Sequence, residues 1–188
     1  MSPREIAIEA HTLLDDGKLD ESFHFLNYLL DNFPNYYEAR LVRSLAFERT
    51  GQLSDAADDA TFVVGVDPSN SCALLLLARI QNDKGDQQQA RKLYYRAAES
   101  NPTHPHLAKP IADLDVRLTI TPAFLGHSYL RAGWPELAER HLRAAIATDS
   151  LRMDIRLGLA ESLWQTGRLD DCRQHSRTVL DHHPNCLK

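Results

Sequence analysis

The sequence has no run of roughly 18 consecutive apolar residues, the length a helix needs to cross a bilayer, so no membrane span is expected. Its opening, Met1-Ser2-Pro3-Arg4-Glu5, lacks the basic-then-apolar shape of a secretion signal. Cysteine is scarce. Cys72, Cys172 and Cys186 are odd in number and show no CxxC spacing, which excludes a disulfide framework and points to a reducing, cytoplasmic setting. Positive charge is not in surplus: 21 Lys and Arg stand against 26 Asp and Glu, for a net charge of −5 and a pI near 6.0. Nonspecific nucleic-acid binding needs a basic surface, and this composition argues against one. There is no P-loop and no dinucleotide-binding glycine pattern. No local signature places a histidine to activate a cysteine, so neither catalysis nor a cofactor is expected. Nine histidines invite a metal reading, yet the tightest pairs, His104-Pro-His106 and His182-His183, have no cysteine or carboxylate at a ligand spacing. No metal is expected.

What the chain does have is punctuation. Gly17, Gly51 and Gly85 recur every 34 residues, and Gly133 and Gly167 keep the same interval. Pro34, Pro68 and Pro102 follow the same period, and Pro184 falls 17 after Gly167, as Pro34 does after Gly17. Five units emerge, at 3–36, 37–70, 71–104, 119–152 and 153–186. Before each glycine the apolar residues fall at helical spacing, as in Leu41, Leu45 and Ala46; after it the pattern returns, as in Ala56, Ala60, Val63 and Val64. Glycine suits the tight turn between two helices because it takes positive φ at little cost. Proline suits the exit because it cannot continue a helix. Ser2-Pro3-Arg4-Glu5 reads as an N-cap with a capping box, and Thr121-Pro122 and Trp134-Pro135 as proline starts.

Packing slots sharpen the pattern. A small residue recurs in the first helix of every unit: Ala10, Ser44, Ala78, Gly126 and Ala160. Another recurs early in the second: Ser22, Ala56, Ala90, Ala138 and Cys172. Cys172 is therefore expected to be a buried small residue. With the large slot that holds Leu13, Phe47, Gln81, Tyr129 and Leu163, this arrangement resembles the tetratricopeptide repeat over about nine tenths of the chain. It departs from the family where a leading aromatic is usual, at Ile6, Arg40, Leu74, Pro122 and Arg156, and where Ser150 replaces the fourth proline.

The resemblance implies an all-α fold: a right-handed superhelical array of five helix-turn-helix hairpins. It implies three repeats over 1–104, a connector at 105–118 and two more repeats over 119–188, with no evident C-terminal capping helix. First helices would line a concave groove, with Arg4, Ile8, His11, Leu41, Val42, Leu45, Leu75, Leu76, Arg79, Phe124, His127 and Arg131 facing a partner. Ala7, Glu38, Arg49, Cys72, Asp83, Ala123, Asp154, Leu157, Glu161 and Gln165 belong to the same strip. Some relatives clamp a C-terminal carboxylate there, but the matching positions are Arg4, Ile8, Val42, Cys72 and Leu76, and only Arg4 has the charge. A chaperone-tail receptor is therefore rejected. An apolar groove fits an amphipathic helix or an extended apolar segment; the alternative for Leu41, Leu45 and Leu75 is core packing against the next repeat.

The break holds 14 extra residues, since Gly85 to Gly133 spans 48. Leu114, Val116, Leu118 and Ile120 alternate with polar residues, favouring a partly extended connector; Ile111, Leu114 and Leu118 also fit a short helix. The expected function is a non-catalytic scaffold or adaptor that binds a protein or peptide. The alternatives are a targeting or regulatory part of a larger enzyme, or a self-assembling array that pairs through its C-terminal end or the connector.

Overall fold

The structure is a computed structural model that describes residues 1–102, 104, 106–107 and 120–186. Among the described residues it consists of ten helices and no strand. They are α1 (Pro3–Asp15), α2 (Leu19–Asn32), α3 (Tyr37–Arg49), α4 (Leu53–Val66), α5 (Ser71–Asp83), α6 (Gln87–Ser100), α7 (Pro122–Arg131), α8 (Pro135–Thr148), α9 (Met153–Gln165) and α10 (Leu169–His182). Successive pairs form antiparallel hairpins. The glycine that closes each turn has φ between 76° and 84°, a backbone conformation that costs a residue with a Cβ of the order of 1 kcal/mol.

The start signals act as the sequence suggests. Ser2 Oγ accepts from the Glu5 amide while Glu5 Oε2 accepts from the Ser2 amide at 2.6 Å, a reciprocal capping box with Pro3 in the first turn. Thr121 caps α7 by accepting from Phe124 N at 3.1 Å, followed by Pro122. The connector reading at 105–118 lies outside the described residues apart from His106 and Leu107. Leu107 is buried against α5 and α6.

Small slots bring paired helices together. Ala10, Ser44, Ala78, Ala56, Ala90 and Ala138 have no exposed surface. Ser22 is equally enclosed and satisfies its hydroxyl by donating to the Ala10 carbonyl at 2.8 Å, an apolar slot made tolerable for a polar group. Cys172 departs from the expectation. It is only half-buried, because no described helix covers that side of α10, where Val179 alone is buried. On α3 and α4, Asp59 is buried under two guanidinium groups, with Arg43 Nε at 2.7 Å and Arg40 Nη1 at 2.9 Å. Arg40 also lies 4.2 Å above the Phe62 ring.

Gly126 marks the tightest approach. A Cβ there would sit 2.5 Å from Leu142 Cγ and 3.3 Å from the Leu142 backbone nitrogen, and Leu142 is itself fully buried. Gly126→Ala is expected to destabilise the chain by about 1–3 kcal/mol through overpacking. Urea unfolding followed by circular dichroism measures this, and an unchanged midpoint would mean that α8 moves aside freely.

Candidate functional site

Helices α1, α3 and α5, the first members of three hairpins, share one cavity of about 630 Å³. Its walls carry His11 and Asp15 from α1, Leu45, Glu48 and Arg49 from α3, Cys72, Leu75 and Arg79 from α5, and His104 and His106 beyond α6. Leu45, Leu75 and Cys72 give it an apolar wall, and its arginines are already paired. Arg79 grips Glu48 with Nε and Nη2, both at 2.6 Å. Arg49 donates to the Leu14 carbonyl and lies 3.0 Å from Asp15. A guanidinium so engaged is a poor receptor for a further carboxylate, because its existing partner must first be displaced.

The cavity also holds a pair that sequence spacing does not reveal. Cys72 Sγ lies 3.3 Å from His104 Nε2, although 32 residues separate them. The His106 amide reaches His104 Nδ1 at 3.3 Å, so Nδ1 accepts and Nε2 carries the proton toward sulfur. Burial pushes the Cys72 thiol above its ordinary value, opposed by the Ser71 hydrogen bond and the Arg79 charge. Burial also holds the His104 imidazole below its usual value, helped by His106 and Arg79. The two groups therefore meet as neutral partners at neutral pH, not as an activated thiolate. Among the described residues no group of three or more His, Cys, Asp or Glu is placed to hold a metal ion. No helix among them is long and apolar enough to cross a membrane.

The expected groove residues divide by burial. His11, Leu45, Leu75 and Arg79 line the cavity. Leu75 shows only its edge, since it is 2% exposed. Val42 and Leu76 are buried in inter-helical cores, Val42 with α1 and α2 and Leu76 with α4. Leu76 offers a partner no surface and Val42 little. Leu41 is half-buried in the core that Leu76 shares, which favours the packing alternative for it. Arg4 and Ile8 are exposed, Ile8 at 57%, but lie outside the cavity walls. Phe124 is half-buried on α7. The reason for the misplacement is angular. A first helix meets both its hairpin partner and the preceding hairpin, so most of its apolar stripe is core and only a narrow arc remains for the groove.

His127 and Arg131 belong to another environment. His127 is buried, and so is Asp154, at a seam between α6, α7 and α9. Arg152 forks onto Asp154 with Nε at 3.1 Å and Nη2 at 2.5 Å, and its Nη1 lies 2.6 Å from Glu99 Oε2. Thr121 Oγ1 donates to Glu99 Oε1 at 2.5 Å, Arg96 approaches Asp154 at 3.8 Å, and Arg131 donates to the Ser100 carbonyl. Burial works against the Arg152 charge, but the Asp154 and Glu99 partners outweigh it and raise its value. Burial likewise opposes the Asp154 charge, and the Arg152 fork overcomes it, holding the carboxyl below the ordinary range. Gly158 leaves room for the imidazole: a Cβ there would come within 3.1 Å of His127 Cε1.

A second cavity, of about 440 Å³, opens beside α9 and α10 between Leu157, Ala160, Glu161, Trp164, Cys172 and Ser176. Trp164 is 67% exposed at its edge. Trp134 stacks on Tyr129 with ring centroids 5.9 Å apart, across its own hairpin turn.

A profile of the family described as Tetratricopeptide repeat matches residues 9–61, 51–105 and 125–174. Solved structures similar to this chain include MamA, 17% identical, with 96% of this chain and 91% of that chain covered and a TM-score of 0.49. A thermophilic TPR protein of Thermus thermophilus is 21% identical over 99% of this chain and 94% of its own, with a TM-score of 0.49. PilF of Pseudomonas aeruginosa is 13% identical over 96% and 76%, with a TM-score of 0.47. No curated protein sequence matches.

The seam has a pH signature. His127 faces Glu99 from α6, Asp154 from α9, Arg152 at the N-terminal cap of α9, and Arg131 on its own helix; its Nε2 has no hydrogen-bond partner among the described residues. Burial, opposed by Asp154, holds the imidazole below its ordinary 6.5. The unfolded chain therefore takes up the proton first. Stability is full above the unfolded value and is lost as pH falls from there through the lower folded one. His127→Gln, which cannot take that proton, is expected to flatten the fall of the urea midpoint between about pH 7 and pH 5. An unaltered slope would assign the loss to other histidines.

Proposed function

The chain belongs to the tetratricopeptide repeat family, and on that premise we propose that it is a non-catalytic scaffold whose first three repeats hold an apolar peptide segment, helical or extended. One observation carries the reading: three first helices converge on a single cavity that includes Leu45, Leu75 and Cys72, and its arginines are already neutralised by Glu48 and Asp15. Such a site rewards burial of a side chain more than capture of a charge. The partner is a protein, and its apolar anchor enters between Leu45, Leu75 and Cys72. We place the protein in the cytoplasm on the strength of its three free thiols.

Amphipathic peptides selected from a displayed library provide the test. Their affinity is expected to fall tenfold or more in His11→Glu/Leu45→Gln, about 1.4 kcal/mol. Trp164→Ser, remote from the groove, should leave it unchanged. Binders that ignore the groove variant, once its fold is verified by circular dichroism, would sink the reading.

Self-association is a second reading, favoured by Trp164 beside the cavity on α9 and α10. Light scattering across a concentration series is expected to show a dimer that Trp164→Ser weakens. A monomer at every concentration overturns it.

A further inference from the structure

The joints of this array are not made of one material. One cluster of buried apolar side chains joins α1 to α3, another joins α3 to α5, a third joins α5 to α6, and a fourth joins α7 to α9. Among the described residues none of these clusters runs from α6 to α7 or α9. That place is taken by charge: Glu99 and Arg96 on α6 meet Arg152 and Asp154 at the start of α9, with Thr121 from the cap of α7 on Glu99. Asp154 has no exposed surface and Glu99 is nearly as enclosed.

We propose that this cluster is an electrostatic latch between two blocks, α1–α6 and α7–α10, and that breaking it lets the second block act as an independent unit while the first keeps its fold. Two physical differences set a charged seam apart from an apolar one. First, a buried ion pair is all-or-none: losing one partner leaves an uncompensated charge out of water, so the closed seam tolerates no partial neutralisation. Second, opening an apolar seam exposes surface that water rejects, whereas opening this one returns carboxylates and guanidinium groups to the solvent that favours them. The seam is thus tightly specified when closed and cheap to expose when open. In a linear array each hairpin is held mainly by its neighbours, and although His183 also comes near Gly65 on α4, the weakest interface decides where the array divides. The 630 Å³ cavity lies within the first block, so peptide capture there does not depend on the latch.

The chain carries its own reporter. Its only two tryptophans, Trp134 and Trp164, both lie in the second block, whereas far-ultraviolet circular dichroism reads the helices of both blocks. Urea unfolding of the whole chain is followed by both probes. In the unaltered protein the two curves are expected to coincide. In Arg152→Ala the tryptophan curve moves to lower urea by about 1 M or more while the dichroism curve becomes biphasic. The milder Glu99→Gln gives a smaller separation of the same sign, and Arg79→Ala, within the first block, gives none. If Arg152→Ala is too unstable for block two to fold, native tryptophan emission is lost in buffer while helical signal from block one persists. That outcome supports the latch. Coincident curves in both seam variants, complete unfolding of Arg152→Ala in buffer, or curves already separate in the unaltered protein would overturn it. Groove peptide affinity serves as the cross-check. It should survive Arg152→Ala, so failure of the latch and failure of the groove are distinguishable.

Discussion

A helical hairpin of this length buries too little apolar surface to stand alone, and everything else in the molecule follows from that shortfall. Each hairpin must close tightly on itself and then lean on the next. Closure requires a backbone turn that L-residues resist, which glycine supplies at Gly17, Gly51, Gly85, Gly133 and Gly167 with positive φ. Close approach requires side chains no larger than a methyl or hydroxymethyl where the helices cross, and Ala10, Ala56, Ala90 and Ala138 meet that demand with no exposed surface. At Gly126 even a methyl is too much, because Leu142 occupies the space.

Stacking then decides what is left for function. A first helix is pressed by its hairpin mate on one side and by the preceding hairpin on another. Its remaining arc is narrow, and in α1, α3 and α5 that arc meets in one cavity. Polar groups on the arc satisfy one another, as Arg79 does with Glu48 and Cys72 with His104. The surface that survives carries paired charges beside Leu45, Leu75 and Cys72.

The 34-residue period made the helices and their turns legible, because glycine and small-residue requirements are local and recur with the repeat. The side-chain destinations were less legible. Val42 and Leu76 lie on the same first helices as the cavity residues Leu45 and Leu75, and the angle at which one hairpin leans on the next sends them into the core. The Cys72–His104 pair spans nearly one repeat, so a scan for local ligand or nucleophile spacing passes over it. The seam was invisible for a stronger reason. Register arithmetic works within a run of repeats, and the 14-residue insertion interrupts it between Glu99 and Arg152. Arg152 and Asp154 stand only two residues apart, at the start of an ordinary helix. Their charge looks like a solvated helix entrance until α6 is laid over them.

That interruption is also where the physics changes. An insertion between repeats removes the constraint that keeps the next hairpin in step, so the apolar slots of α6 and α7 need not meet. Polar side chains can bridge such a mismatch, because guanidinium groups reach far and a fork can hold one carboxylate while its third nitrogen holds another, as Arg152 does with Asp154 and Glu99. Glycine at position 158, in the phase that Val42 and Leu76 occupy in earlier repeats, gives up a core side chain to make room for His127. The seam is thus a second solution to the shortfall that organises the whole array. Where register is kept, hairpins are joined by apolar surface that water drives together; where it is lost, the described residues are joined by charges that hold only while every partner is in place.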